Sequence, residues 1–356
     1  MKGLVLSGGK GTRLQPFTWS TPKHLIPVAN RPVLSYIFFA LHEVGITRAG
    51  IITGEEGLVR IPAKMQQETP PSLELTYIRQ AVPLGLAHAV QTARPFLGDE
   101  DFIMVLGDNI FDQSLREGVA IFKQTGADAL IFLAPVNDPR RYGIAEVKDG
   151  RVIALEEKPL LPRSNLAIMG IYLLSKKIFA AIERIRPSAR GELEITDALQ
   201  ELLHMGGKIV PYHYSGWWLD VGKPEDVLTA NRKILDLMHT GNRIIKPGKD
   251  CIPLAGGCIV SPSARMTQSK LRGPLIIGDK CRVTNAFIGP YCAIGSGSVV
   301  ENARVEESIL CEDVVLRNLS KTLKKSIIGE NARVFGQSRI KDGISLLLGA
   351  GSCITL

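Results

Sequence analysis

The chain has 356 residues, enough for two or three domains of roughly 100–200 residues each. Hydrophobic residues make up 45% and charged residues 22%, which excludes global disorder. The net charge of +8 favours anionic partners. The densest basic cluster, at 317–325, has no interleaved aromatic residues. We therefore expect phosphorylated small molecules as partners, and neither nucleic acid nor a membrane.

The start of the chain, the lengths of its apolar runs and its cysteines predict the compartment. The apolar run after Met1 is far too short for the core of a signal peptide. No apolar run approaches the roughly 18 residues that a membrane span needs. All six cysteines lie in the last third of the chain without a C-x-x-C pair, and no histidine follows His239, which argues against a zinc site. We expect a cytoplasmic protein with reduced thiols.

Up to about residue 240, apolar strand patterns alternate with helical patterns. This alternation predicts an α/β fold with a Rossmann-like, mostly parallel sheet that is covered on both faces. The helix predicted last starts at a proline and carries an apolar stripe. Strands are predicted at 3–7, 50–53, 73–78, 102–106, 129–135, 152–155 and 167–174. Helices are predicted at 32–44, 87–93, 115–123, 194–205 and 224–239.

Beyond a linker near 240–249 the pattern changes to a period of six. A small residue follows four positions after many of the aliphatic residues, as Cys281 and Cys292 do. Six such hexads within 85 residues predict a left-handed parallel β-helix with hexapeptide repeats, in which these cysteines serve packing. We therefore expect two domains, at 1–240 and 241–356. The aliphatic positions are Val260, Met266, Ile277, Val283, Ile288, Ile294, Val300, Leu310, Leu316, Ile328, Val334 and Ile340.

A glycine-rich turn directly follows the first predicted strand. Gly8, Gly9 and Gly11 let backbone amides converge on an anion, and Arg13 can add a forked cation. The turn matches neither the Walker A nor the G-x-G-x-x-G pattern, so a plain turn is the alternative. Lys23, which lies between two prolines, supplies a second cation.

Acidic residues follow other predicted strands. Asp108 stands at the carboxyl end of the 102–106 strand, where open α/β sheets bind ligands, and it can hold Mg²⁺ or cap the next helix. Asp220 follows an apolar run in the same manner. Glu157 and Lys158 are adjacent, and a solvated surface pair is the alternative there.

Several stretches in one order resemble the sugar-nucleotide pyrophosphorylases, most closely the long-form glucose-1-phosphate thymidylyltransferases, which end in a β-helix. The resemblance covers residues 1 to about 240 and rests on the motifs at 6–16, 22–23, 106–109, 157–159, 190–197 and 217–220. It implies Mg²⁺-dependent transfer of a nucleotidyl group from dTTP to glucose 1-phosphate, giving dTDP-glucose and pyrophosphate. UTP in place of dTTP is the alternative, since one methyl group discriminates only about 1–3 kcal/mol.

The resemblance also implies residue roles. Gln80 and Gly85 would read the pyrimidine, Glu157 would bind sugar hydroxyls, and Lys158 would bind the sugar phosphate. Asp108 and Asp220 would hold Mg²⁺. The residues around the triphosphate would be Gly8, Gly9, Gly11, Thr12, Arg13 and Lys23. The residues around the sugar phosphate would be Tyr142, Gly143, Glu157, Lys158, Ile168, Tyr172 and Arg190.

The sequence departs from the family pattern at three places. His24 stands where glutamine is usual, Ser7 where alanine is usual, and Val221 where threonine is usual. None of these removes a charge from the implied site. An acyltransferase is disfavoured because no histidine follows His239, and a catalytically inactive regulatory subunit is disfavoured because the implied cations and acids are all present. Flat β-helix faces lead us to expect a homo-oligomer.

Overall fold

The computed structural model describes residues 1–9, 11–240, 252–336 and 346–355. The chain forms two compact units, Met1–Gly9 with Ile37–Trp218, and Lys10–Tyr36 with Leu219–Leu356. The boundary predicted between residues 240 and 241 falls at the edge of the described residues and stays a prediction. None of the helices in the described ranges combines the length and the apolar character of a membrane-spanning segment.

The first unit is built on a nine-stranded mixed sheet. Lys2–Leu6 lies parallel to both Arg48–Thr53 and Phe102–Leu106, and Leu166–Leu174 lies antiparallel to Phe102–Leu106. The spatial order is Arg151–Glu157, Gly143–Lys148, Leu166–Leu174, Phe102–Leu106, Lys2–Leu6, Arg48–Thr53 and Glu74–Arg79, with Ala129–Pro135 beside Leu166–Leu174 and Ile209–His213 beside Ala129–Pro135.

The core of this unit follows from continuous apolar strands. Every residue of Lys2–Leu6 is buried, as are Phe102 and Phe132, because the strands are covered on both faces. The predicted α/β sheet is confirmed. The helices of the chain up to residue 218 are Val33–Glu43, Glu55–Met65, Leu86–Thr92, Arg94–Leu97, Arg116–Thr125, Lys177–Ile182 and Ile195–His204.

Five of these elements were not predicted from the sequence, among them the helix Arg94–Leu97, which has only four residues. Gly143–Lys148 and Ile209–His213 are strands with half-polar patterns that lack an apolar run. Glu55–Met65 contains Pro62, and Lys177–Ile182 is only six residues long. Weak or interrupted periodicity therefore accounts for the omissions.

The second unit contains three parallel sheets of strands only two or three residues long. This repeat of short faces is consistent with the predicted left-handed β-helix. The first sheet contains Cys258–Val260, Leu275–Ile277, Cys292–Ile294, Ile309–Leu310, Ile327–Ile328 and Leu347–Leu348, with Ile252–Leu254 antiparallel at its edge. The second contains Arg265–Thr267, Arg282–Thr284, Val299–Glu301, Val315–Arg317, Arg333–Phe335 and Cys353–Thr355, and the third contains Lys270–Leu271, Phe287–Ile288, Arg304–Glu306 and Leu323–Lys324.

Hexad positions stack between successive coils. Ile277 pairs with Ile294 and Ile294 with Leu310, and all three are fully buried. Ten of the twelve predicted aliphatic positions are buried in this way. The prediction of a buried Met266 was wrong. Met266 is 41% exposed, because its strand is the first of its sheet and has a neighbouring strand on one side only. Ile340 lies outside the described residues.

The remaining elements are short, except for one helix. Pro224–His239 is helical over the predicted range. Pro27–Val28 and Arg31–Pro32 form a small antiparallel pair. The other short strands are Asn109–Phe111 and Trp218–Asp220, and the 3-10 turns are Thr12–Leu14, Phe17–Trp19, Lys23–Leu25, Pro139–Arg141 and Ala255–Gly257.

Candidate active site

The glycine-rich turn begins where the first strand ends. The amide of Ser7 donates to the carbonyl of Ile52 at 2.7 Å, which extends the strand pairing by one residue. Ser7 is only 4% exposed, and its hydroxyl has no hydrogen-bond partner among the described residues. A Cβ on Gly8 would lie 3.1 Å from Oε1 of Gln80. The structure therefore brings Gly8 next to the proposed pyrimidine-reading side chain.

In the second unit, Gly11 has to be glycine. Its φ is +63°, and a Cβ there would lie 2.8 Å from Cγ2 of Thr18 and 3.0 Å from Cβ of Lys23. Thr18 also donates to the carbonyl of Gly11 at 2.8 Å. This packing brings the predicted triphosphate loop against the stem of the predicted cationic lysine.

Arg13 and Asp220 border the same glycine in the second unit. A Cβ on Gly222 would lie 2.9 Å from Nη2 of Arg13 and 3.6 Å from Oδ1 of Asp220. Thr12 and Arg13 form the exposed start of the 3-10 turn Thr12–Leu14. Arg13, a predicted phosphate-binding cation, and Asp220, a predicted metal ligand, therefore both lie next to Gly222.

Gln80 and Gly85 are held by different partners. Gln80 is buried, its amide donates to the carbonyl of Thr53 at 2.8 Å, and Nε2 lies 2.9 Å from Nδ1 of His88. Gly85 has φ +107°, and a Cβ there would overlap the backbone of Leu193. The backbone of Leu193 therefore fixes Gly85, whereas His88 contacts Gln80.

Asp108 is half-buried beyond the strand Phe102–Leu106. The amide of Gly107 donates to the carbonyl of Leu6 at 2.9 Å, which continues the parallel pairing to the strand end. Asn109 is buried and its side chain donates to the carbonyl of Met169. Hydrogen bonds therefore hold both chain neighbours of Asp108 in place.

Glu157 is the centre of a polar cluster in the first unit. Thr196 donates to Oε2 at 2.7 Å, Nη2 of Arg190 donates to Oε1 at 3.2 Å, and Nζ of Lys158 lies 3.5 Å from Oε1. Arg190 also donates to Glu194 at 2.6 Å, and the Glu194 side chain is only 4% exposed. Both oxygens of Glu157 are therefore oriented by neighbouring donors.

Predicted sugar-pocket residues surround this cluster. The amide of Lys158 donates to the carbonyl of Tyr142 at 3.0 Å. A Cβ on Gly143 would lie 2.7 Å from Oγ1 of Thr196, 2.9 Å from Oε2 of Glu157 and 3.4 Å from Ile168. The sequence therefore predicted a set of residues that the fold does assemble within one unit.

Three aromatic side chains of the first unit lie around this cluster, those of Tyr142, Tyr172 and Trp218. Burial, and then the negative charge of Glu157, raise the pKa of Tyr172, so its hydroxyl stays protonated. The ring centroids of Tyr142 and Trp218 are 5.4 Å apart. The contacts of Thr196, Glu194 and Trp218 were not predicted, although all three residues lie inside the motifs at 190–197 and 217–220.

Comparison with known proteins gives the family. Residues 2–237 match the family model described as nucleotidyl transferase. The chain belongs to this family. This nucleotidyl transferase is 39% identical over 351 residues to a glucose-1-phosphate thymidylyltransferase of Streptomyces griseus, and the alignment covers 98% of each chain. It is 40% identical over 362 residues to the low-salt glycan biosynthesis nucleotidyltransferase Agl11 of Haloferax volcanii, covering all of both chains.

A solved structure supports the same fold. A crystal structure from Bacillus anthracis, described as a glucose-1-phosphate thymidylyltransferase in complex with a sucrose, aligns with a TM-score of 0.62 and 36% identity. The alignment covers 70% of this nucleotidyl transferase and 98% of that chain. The predicted membership of the sugar-nucleotide enzymes is thereby confirmed.

The acidic residues of this nucleotidyl transferase suit a magnesium ion whose other ligands are phosphate and water oxygens. Within the described ranges, no three histidine, cysteine, aspartate or glutamate side chains cluster closely enough to form a complete metal cage. Magnesium usually binds through one or two carboxylates plus phosphates and water. Asp108 in the first unit and Asp220 in the second unit are each a half-buried carboxylate with hard oxygen donors, so each by itself fits this kind of ion.

Proposed function

We propose that the protein transfers a nucleotidyl group from dTTP to glucose 1-phosphate, giving dTDP-glucose and pyrophosphate. The observation that carries the proposal is the orientation of Glu157 by Thr196 and Arg190, beside the ammonium group of Lys158. A fixed carboxylate accepts hydrogen bonds from sugar hydroxyls, and an adjacent cation attracts a sugar phosphate. Similarity to a glucose-1-phosphate thymidylyltransferase over 98% of the chain supports the choice of substrates.

The nucleotide would bind at the glycine-rich turn. Backbone amides of Gly8, Gly9, Gly11 and Thr12 can donate to the triphosphate, because glycines allow the backbone to approach closely. Arg13 and Lys23 would add positive charge. Gln80 and Gly85 would contact the pyrimidine.

The sugar phosphate would bind in the first unit. Glu157 would accept from sugar hydroxyls and Lys158 would hold the phosphate, with Arg190 orienting Glu157. Tyr142, Gly143, Ile168 and Tyr172 would shape the pocket. The half-buried ring of Tyr142 and the buried side chains of Ile168 and Tyr172 would exclude water from the sugar.

The reaction needs charge neutralisation more than covalent chemistry. An oxygen of the sugar phosphate must attack the α-phosphorus while pyrophosphate leaves, yet both reactants are anions. Arg13, Lys23 and Lys158 would offset this repulsion and hold the groups in line. We propose Asp108 and Asp220 as ligands of Mg²⁺, which when bound supplies further positive charge to the phosphates.

The test is a substrate matrix. Purified protein receives dTTP, UTP, dCTP or CTP with several sugar 1-phosphates, and pyrophosphate is measured with Mg²⁺ or with EDTA. We expect the highest kcat/KM with dTTP and glucose 1-phosphate, and no turnover with EDTA. A higher value with UTP would make the protein a uridylyltransferase. No pyrophosphate from any pair would favour an inactive regulatory chain.

Variants test the residue roles. Lys23→Ala and Asp108→Asn should each lower kcat by about 10²–10³-fold, the usual effect of removing one charge-stabilising group. Both variants should keep the wild-type melting temperature within a few degrees. Near-normal rates in either would contradict these assignments.

The setting is also part of the proposal. We propose a cytoplasmic homo-oligomer, since the proposed substrates are intracellular metabolites and a parallel β-helix in general presents flat sheet faces suited to self-association. Light scattering that gives a monomeric mass would contradict the oligomer.

A further inference from the structure

Gln80 and His88 form a hydrogen-bonded pair in the first unit. Nε2 of Gln80 lies 2.9 Å from Nδ1 of His88. Gln80 follows the strand Glu74–Arg79 and is 7% exposed, and His88 lies on the helix Leu86–Thr92. The backbone of Gln80 is fixed separately, because its backbone N–H donates a hydrogen bond to the carbonyl of Thr53 at 2.8 Å. Its side chain therefore has a preferred direction that His88 can set.

The chemistry of the two groups determines which way round the amide lies. An amide nitrogen only donates, so Nδ1 of His88 accepts and the ring carries its proton on Nε2. The amide oxygen of Gln80 then faces the glycine-rich turn, 3.1 Å from the position of a Cβ on Gly8. A donor at position 88 would instead attract the oxygen and turn the amide around.

This orientation matters for the base. Thymine and uracil present a donor at N3 and an acceptor at O4, whereas cytosine presents an acceptor at N3 and an amino donor at C4. An amide that offers its oxygen and one N–H outward matches the first pattern. The reversed amide offers the N–H where the oxygen was and matches the second.

We propose that His88 is a positioning residue that orients the Gln80 amide and thereby selects thymine or uracil over cytosine. The proposal rests on the proposed function, because it takes Gln80 to contact the base. It adds a determinant of nucleotide specificity outside the set of residues that would touch the substrate.

Two substitutions separate positioning from structural support. His88→Asp leaves a residue that only accepts when ionised, so the Gln80 amide keeps its orientation. His88→Lys leaves a residue that only donates, so the amide reverses. The matched control is His204→Lys, because His204 forms the same kind of pair with Gln200, also at 2.9 Å, at an exposed position.

The readout is the ratio of the dissociation constants of dTTP and dCTP, measured by calorimetry with Mg²⁺ on one preparation of each variant. The ratio is insensitive to the folded fraction and needs no turnover, so the proposed reaction can fail while this test still reads out. A bidentate base contact discriminates by about 1–3 kcal/mol, which corresponds to about 5–150-fold.

We expect wild type, His88→Asp and His204→Lys to share a preference for dTTP, and His88→Lys to lose it by a factor in that range. Equal affinity of the wild type for both nucleotides would overturn the proposal. A wild-type ratio in His88→Lys, or a lost preference in His88→Asp, would also overturn it.

Discussion

Replacing Gly143 by alanine should selectively weaken sugar-phosphate binding. The added Cβ would lie 2.7 Å from Oγ1 of Thr196 and 2.9 Å from Oε2 of Glu157, and carbon atoms do not approach oxygen this closely. These two atoms form the 2.7 Å hydrogen bond that orients Glu157, so the bond must lengthen or break. A hydrogen bond to a charged group contributes about 1.5–3 kcal/mol.

That loss corresponds to a rise of about 10–150-fold in the KM for glucose 1-phosphate, at about 1.4 kcal/mol per factor of ten. The KM for dTTP should stay within about twofold, since the glycine-rich turn is unaffected. Initial rates of pyrophosphate release, with each substrate varied in turn, give both constants. KM values do not depend on the folded fraction.

Gly54→Ala is the matched control. Gly54 has an ordinary negative φ, and a Cβ there would meet nothing within 4 Å. Both KM values of this variant should equal those of the wild type. An unchanged KM for glucose 1-phosphate in Gly143→Ala, or an equal rise in both constants, would refute the role given to Glu157.

Three further predictions concern buried groups. Ser7→Ala should raise the free energy of unfolding in urea by about 1 kcal/mol or more, because it removes a buried hydroxyl without a partner among the described residues. A lower free energy of unfolding than in the wild type would contradict this prediction. Ile294→Ala should cost about 2–5 kcal/mol by the same measurement, whereas Met266→Ala, at an exposed position, should cost less than about 0.5 kcal/mol, and similar losses would contradict the stacking of the coils. Burial raises the pKa of the Cys292 thiol to about 12, so at pH 8 a thiol reagent should modify exposed Cys353 and leave Cys292 unmodified until unfolding; rapid modification of Cys292 in the folded protein would contradict its burial.

The sequence was sufficient for the parts of the fold that depend on short-range periodicity. The buried strand Phe102–Leu106 is a continuous apolar run, and Ile277 and Ile294 recur in hexads that can only stack. Burial patterns of this kind follow from the order of neighbouring residues in the sequence. Met266 fits the same pattern but lies at the end of a sheet, and a sequence period does not show where the stack begins.

The polar contacts of the site could be predicted only in part. Glu157 and Arg190 were identified through motifs, but the contact between Thr196 and Glu157 joins residues 39 positions apart. Such contacts depend on how strands and helices are placed in space. The pairing of Gln80 with His88 is closer in sequence, yet it requires the exact turn between a strand end and the next helix.

Corner hydrogen bonds of the second unit were missed for the same reason. Asn285, Asn302 and Asn318 have positive φ values and form a ladder, with side-chain distances of 2.8 Å and 2.7 Å. Their spacing along the chain reflects the length of a coil. Asparagine tolerates this backbone conformation better than most residues.

The most direct test of the central claim is to follow the attacking oxygen. Glucose 1-phosphate labelled with ¹⁸O at the non-bridging oxygens of its phosphate is incubated with dTTP and Mg²⁺, and the products are examined by ³¹P NMR. Direct attack on the α-phosphorus predicts equal amounts of dTDP-glucose and pyrophosphate, with ¹⁸O in the bridge between the two phosphorus atoms of the sugar nucleotide and none in pyrophosphate. Label in pyrophosphate, or release of inorganic phosphate without a sugar nucleotide, would contradict the account.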